Sequence, residues 1–193
     1  MDWLLFLPQL PTTPSSLRVT VWRRMRQVGA LGLQNGVWVL PQRADLEQWL
    51  QDLRAQVRQQ GGEAWLFRAQ TPDAEAEGLI RDRFCTERDE EYREFLERCQ
   101  DFLAEIAKES QQGKYTYAEM EEIEEDLEKL EHWLGKIRGR DFFEAALSVE
   151  ATTALKTCHQ AFAVFVSHVY AREGLNAAAD TESQTLNDGD AIP

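Results

Sequence analysis

Asn35-Gly36, set between Leu33-Gln34 and Val37-Trp38-Val39-Leu40-Pro41, narrows what this chain can fold into more than any other stretch. Asn-Gly flanked by apolar, β-prone residues is the strongest short-range hairpin signal. A type I′ turn needs positive φ at both central residues, which Asn tolerates and Gly adopts without steric cost. Ala30–Gln34 and Val37–Leu40 are therefore expected to pair as antiparallel strands. Upstream, the apolar run Trp3–Leu7 reads as a central strand, and Ser15–Val28 as a helix capped by Ser15 or Ser16 and ended by Gly29. Between them Pro8, Pro11 and Pro14 predict a stiff, extended loop without regular structure. Downstream, Arg43–Gln59 reads as a helix stopped by Gly61-Gly62, and Ala64–Phe67 as the last strand.

The resulting order is strand, helix, strand, hairpin, strand, helix, strand. This is the split βαβ arrangement, so the expected fold class is α+β, with a ferredoxin-like βαββαβ domain over residues 3–69. On its first helix Leu17, Val21, Met25 and Val28 share one face, and Arg23, Arg26 and Gln27 project roughly the other way. Arg18 and Trp22 stand four residues apart on the flank, a spacing that permits a guanidinium–indole stack. In the second helix Leu46, Leu50, Leu53 and Val57 repeat at helical spacing toward the sheet.

After Thr71-Pro72-Asp73 the pattern changes. Tyr92, Phe95, Cys99, Phe102 and Ile106 alternate steps of three and four. Met120, Ile123, Leu127, Leu130, Leu134 and Ile137 do the same, as do Leu155, Cys158, Phe162, Phe165 and Val169. Thr116-Tyr117-Ala118-Glu119 is a capping box opening the middle helix. Asp141-Phe142-Phe143 reads as a staple for the turn into the last one. A three-helix antiparallel bundle over 76–172 is the expectation, followed by a disordered acidic tail over 173–193, where small and polar residues lose all periodicity.

Charge divides the chain at the same place. Residues 1–69 hold eight Arg, no Lys and five acids, a net charge of +3 within a protein of −13, which leaves −16 for the rest. Five of the six Trp also precede residue 66. The N-terminus does not read as a signal peptide: the apolar run is short, Asp2 stands where a positive charge belongs, and Pro8 follows at once. No run has the length of a transmembrane helix. Cys85, Cys99 and Cys158 are odd in number and far apart, unlike a disulfide framework or zinc site. A cytoplasmic protein with reduced thiols is expected.

Little here reads as catalysis. The acidic run Glu119, Glu121, Glu122, Glu124, Glu125, Asp126, Glu128 and Glu131 interleaves with a heptad seam, so it is expected to be solvated helix surface, and no Glu-x-x-His pair accompanies it. His132, His159 and His168 lack the spacing of a zinc helix. There is no phosphate loop or nucleophile elbow. No enzyme, no cofactor and no metal site are expected.

One family resemblance is specific. Trp3–Val19, Val21–Met25, Gly29-Ala30 and Asn35–Pro41 resemble the N-terminal domain of the chromate-resistance regulator family, ChrB. The likeness continues through Gly62-Glu63-Ala64 and Arg88-Asp89-Glu90-Glu91-Tyr92 and covers most of 3–172. It implies a cytoplasmic bacterial transcription-regulatory protein. Full-length members carry a further C-terminal domain thought to sense the oxyanion. The core is also similar to the ferredoxin-like nuclease of CRISPR adaptation and to the corresponding domain of phenylacetate-type repressors. That nuclease places a metal-binding Asp at the end of its first strand, where this chain has Leu7-Pro8-Gln9, so nuclease activity is not carried over.

Two functional readings follow. In the first, the Arg-rich helix contacts double-stranded DNA through Arg23, Arg24 and Arg26, with Arg18 ranked behind them, because guanidinium groups pair well with phosphate. In the second, the long acidic helices form a protein-interaction or assembly module, and the same arginines hold them. A homodimer is expected from the open sheet edges and the long seams.

Overall fold

An apolar run such as Trp3–Leu7 needs neighbours on both sides, and β1 (Asp2–Gln9) has them. On one side it pairs antiparallel with β3 (Val37–Pro41), from Trp3↔Pro41 to Phe6↔Trp38. On the other it pairs antiparallel with β4 (Glu63–Gln70), from Asp2↔Gln70 to Gln9↔Glu63. The computed structural model describes residues 1–13, 15–34 and 36–187, with side chains through Gly174. β2 (Leu31–Gln34) completes an antiparallel sheet of order β2-β3-β1-β4. Five helices accompany it among the described residues: α1 (Ser16–Gln27), α2 (Ala44–Gln59), α3 (Ala74–Gln111), α4 (Tyr117–Arg138) and α5 (Ser148–Asn187).

The chain divides into two compact units. One is Met1–Glu90 with Lys136–Ala146, and the other is Glu91–Gly135 with Leu147 onward. The compositional break near Gln70 thus falls just before α3, whose first turns belong to the sheet unit. Strand alternation sorts that unit's core into two layers. Leu4, Phe6, Leu40 and Ala64 face Leu17, Val21 and Met25 of α1 and Leu46, Leu50, Leu53 and Val57 of α2. Each such large side chain stabilises the fold by roughly 1.5–3 kcal/mol when fully buried. Trp3, Leu31 and Val39 point to the opposite face, where Phe84 of α3 covers them. Trp3 stacks on Phe84 with centroids 6.0 Å apart, and Phe143 meets Phe84 edge-on at 5.4 Å. Phe142 and Phe143 are therefore part of the sheet unit's aromatic cluster and not a staple on α5. The turn is held by Asp141, whose carboxylate accepts from the Ala145 N–H at 3.1 Å.

The hairpin forms with Gln34↔Val37 flanking two residues and Gly36 at φ 79°. Asn35 lies outside the described residues, and the type I′ assignment with it. The register shifts between Gly32 and Gln34, a bulge the alternation did not announce. Pro8 does not end β1: the ladder to β3 has already stopped at Phe6↔Trp38, and Pro8 sits opposite Ala64 on the β4 side. Regular structure is thus lost only after Gln9.

In the helical unit the three seams are inside. Tyr92, Phe95 and Cys99 of α3, Ile123, Leu127 and Leu134 of α4, and Cys158, Phe165 and Val169 of α5 are all buried. Phe95 meets Trp133 edge-on at 5.6 Å, and Cys158 Sγ lies 3.8 Å from the Cys99 carbonyl, so α3 touches both other helices. Thr116 caps α4 as its spacing predicts, with its hydroxyl accepting from the Glu119 N–H at 3.3 Å. α5 does not stop at Gly174 but runs to Asn187. Ala177-Ala178-Ala179 are strong helix formers, and no Pro interrupts before residue 193. The remainder of the expected disordered tail, 188–193, lies outside the described residues.

Candidate functional site

α1 exists because Leu17, Val21 and Met25 bury one stripe, and that burial dictates where its arginines point. Arg18 and Arg23 are exposed, whereas Arg24 and Arg26 are half-buried. Arg18 donates to the Thr12 carbonyl at 3.0 Å instead of stacking on Trp22. Trp22 is left 56% exposed, beside Val19 at 44%. Arg24 donates to the Gln56 side chain and lies over the Trp49 ring at 5.8 Å, so it ties α1 to α2. Arg26 forms an ion pair with Glu87 at 2.7 Å, which ties α1 to α3. No hydrogen bond or ion pair holds Arg23 among the described residues.

The four candidate arginines thus separate into two pairs. Arg24 and Arg26 are joined to neighbouring elements. Arg18, on the flank with Trp22, keeps one guanidinium N–H on the Thr12 carbonyl, and Arg23 is exposed with no hydrogen bond or ion pair among the described residues. Helical periodicity separates Arg23 from the buried stripe but cannot tell which exposed Arg finds a partner on another element. Only the position of Glu87 and Gln56 decides that.

Beside α1, in the same unit, lies a cleft of about 490 Å³ lined by Gln27, Val28, Arg43, Asp45, Leu46, Trp49, Lys136, Gly139, Arg140 and Phe142. These residues come from three segments, and no sequence pattern groups them. Arg43 donates from Nε to Asp45 Oδ1 at 3.1 Å and from an Nη to Oδ2 at 3.0 Å, and lies over Phe142 at 5.9 Å. Desolvation pushes the Asp45 carboxyl upward, but the hydrogen bonds and charge of Arg43 outweigh it and hold it below the ordinary range. Gly29 makes the approach of the 136–146 segment workable. Its φ is 81°, and a Cβ there would stand 2.7 Å from Arg140 Cβ.

The helical unit has a groove of about 510 Å³ between α3 and α4, floored by Phe102, Ile123, Leu130 and Trp133 and rimmed by charges. The acidic residues Glu121, Glu122, Glu124, Glu125, Asp126, Glu128 and Glu131 are exposed. Among the described residues no group of three or more His, Cys, Asp or Glu is placed to hold a metal ion. Cys99 and Cys158 are buried against each other, and burial pushes the Cys85 thiol up, aided by Asp141, Asp89 and Asp82. No helix among the described residues is long and apolar enough to cross a membrane.

The family model described as "Protein ChrB, N-terminal" matches residues 18–176. A curated relative named "Protein ChrB", from Cupriavidus metallidurans, is 33% identical over 94 residues, which cover 49% of this chain and 28% of the relative. The chain thus matches little more than a quarter of that protein's length.

Proposed function

The chain belongs to the family of ChrB N-terminal domains, and from that premise we propose that it is a chromate-resistance-type transcription-regulatory protein that contacts double-stranded DNA through α1. The observation that carries this reading is exposed Arg23, free of intramolecular partners among the described residues, with exposed Arg18 on the flank of the same helix. Guanidinium groups held this way can each take a backbone phosphate. The helix lies in the stretch of residues 1–69, which is positive within a protein of net charge −13. Arg24 and Arg26 contribute by fixing the orientation of α1 through Gln56 and Glu87.

The sheet order β2-β3-β1-β4 with the alternation βαββαβ supports a ferredoxin-like reading of the first unit, and the mutual contacts of α3, α4 and α5 support a three-helix bundle for the second. The free edge of β4, with Trp65 41% and Phe67 51% exposed, supports a homodimer. Light scattering coupled to gel filtration checks this, and a monomer at tens of micromolar speaks against it.

Fluorescence anisotropy with a labelled duplex across a salt series tests the DNA reading. Arg18→Gln with Arg23→Gln is expected to weaken every duplex alike and to lower the salt slope by about two, one for each phosphate no longer neutralised. Arg24→Gln is expected to leave the slope near that of the unaltered protein. No binding at low salt, or equal slopes for all three proteins, moves the assignment to the second reading, a protein-interaction module. The apolar-floored groove between α3 and α4 supports that alternative.

A further inference from the structure

The cleft between α1, α2 and the 136–146 segment has a composition unlike the rest of this acidic protein. Its charged lining is Arg43, Lys136 and Arg140 against the single carboxylate Asp45. Arg24, which is not part of the lining, lies over the Trp49 ring at 5.8 Å. Asp45 occupies two donors of Arg43 and leaves the remaining guanidinium N–H groups for another acceptor. Lys136 is exposed at the rim, and no carboxylate pairs with it among the described residues. The remainder of the wall is apolar, from Val28, Leu46, Trp49 and Phe142, with the Gln27 amide as a neutral polar group.

These two characters together select a ligand class. A bare inorganic oxyanion would satisfy the cations but gain nothing from an indole, a phenyl ring and a leucine. A neutral apolar molecule would leave Lys136 and the open edge of Arg43 without an acceptor. We propose that this cleft binds a small organic anion, a flat aromatic body ending in one carboxylate or phosphate. The body lies against Trp49, Leu46 and Phe142, and the anionic group meets Lys136 and the free edge of Arg43. The cleft volume of about 490 Å³ falls within the range of small-molecule sites. Pocket chemistry of this kind, a mainly apolar lining with a few convergent polar groups, both orients a ligand and excludes its uncharged analogues.

Arg18 and Arg23 do not line the cleft, so this inference stands or falls separately from DNA binding. Isothermal titration calorimetry on the full chain, using 2-naphthoate and adenosine 5′-monophosphate as probes, tests it. Adenosine, 2-naphthol and sulfate serve as the comparison compounds. At least one probe is expected to bind saturably below millimolar concentration, with its uncharged analogue and sulfate each about tenfold weaker or more. A response to the nucleotide alone assigns a phosphate-bearing ligand, and a response to naphthoate alone a carboxylate. Lys136→Gln is expected to weaken the bound probe by about tenfold, the loss of one charge-assisted hydrogen bond, and Lys136→Arg to restore most of it. Lys136 is exposed, so neither substitution threatens the fold, and an unchanged melting temperature verifies this. No saturable binding of either probe, sulfate binding as tightly as the probe, or a Lys136→Gln protein that binds normally would each overturn the proposal.

Discussion

The two units handle charge in opposite ways. In the helical unit several of the ion pairs among the described residues are internal to one helix: Lys108 with Glu105 at 2.7 Å, Lys129 with Asp126 at 2.7 Å, and Arg98 with Asp101 at 3.4 Å, all one turn apart. Such exposed pairs contribute little to stability and form wherever the spacing permits. In the sheet unit the cations reach across elements. Arg26 meets Glu87, Arg68 meets Glu47 at 2.7 Å, and Arg24, Arg43 and Arg81 lie over Trp49, Phe142 and Phe143. A pair made within one helix says little about function, because local spacing alone produces it. A cation placed against a ring from another element has been put there by the fold, and Arg43 of the candidate cleft is such a cation. Glu109 breaks the pattern: it is a buried carboxylate in the helical unit, held by Lys114 at 2.9 Å across the turn from α3 to α4 and by Lys108 at 3.4 Å.

Removing a core anchor from each unit tests the contrast most severely. Phe165→Ala in the helical unit and Phe6→Ala in the sheet unit are each expected to cost about 3–5 kcal/mol. Urea denaturation followed by circular dichroism measures both. A loss under about 1 kcal/mol in either would mean that its seam or sheet face is not that unit's core.

Glycine substitutions come next, because three glycines share one backbone conformation but differ in surroundings. Gly29, Gly36 and Gly61 have φ of 81°, 79° and 78°. Gly61 has nothing within 4 Å of an added Cβ, Gly36 only the Pro8 carbonyl at 3.8 Å, and Gly29 the Arg140 side chain at 2.7 Å. Ala at 61 and 36 should each cost about 1–2 kcal/mol from left-handed strain, and Val at 36 about 1–3 kcal/mol. Gly29→Ala should cost more than either, since Arg140 must also move. Equal melting temperatures for Gly29→Ala and Gly61→Ala would mean that Arg140 does not pack against Gly29.

A smaller effect should appear in acid in the helical unit. The hydrogen bond and charge of Lys114, and then Lys108, hold the Glu109 carboxyl below its ordinary value of 4.5, against the push of its own desolvation. A lowered folded-state pKa means that the stabilisation is complete above about pH 4.5 and is lost as the pH falls through the folded value. Stability measured by urea between about pH 6 and 3, compared with Glu109→Gln, should show a steeper acid loss in the unaltered protein. Parallel curves would rule the pairing out as a contributor.

The smallest expected change is at Glu124 and Glu125. Both are exposed, and replacing them with Gln should shift stability by no more than about 0.5 kcal/mol. A larger change would mean that the acidic surface of α4 is more than solvated helix.

Periodicity and turn chemistry alone determined the hairpin at Gly36, the buried stripes of α1 and α2, the seams through Phe95, Leu127 and Phe165, and the Thr116 cap. Each of these depends on residues only a few positions apart, so the chain's local geometry decides it. Tertiary structure alone decided that Pro8 stays in β1, because this depended on where the β3 ladder stops. It also carried Phe84, Phe142 and Phe143 onto Trp3, and brought Arg43, Trp49, Lys136 and Arg140 to one cleft. Those residues lie far apart in the sequence, Trp3 and Phe143 the farthest of them, and nothing in their local spacing signals that they meet. The arginines of α1 lie between these two cases. Helical geometry put Arg23 on the solvent side, but only the packing of α2 and α3 engaged Arg24 and Arg26 and left Arg23 open.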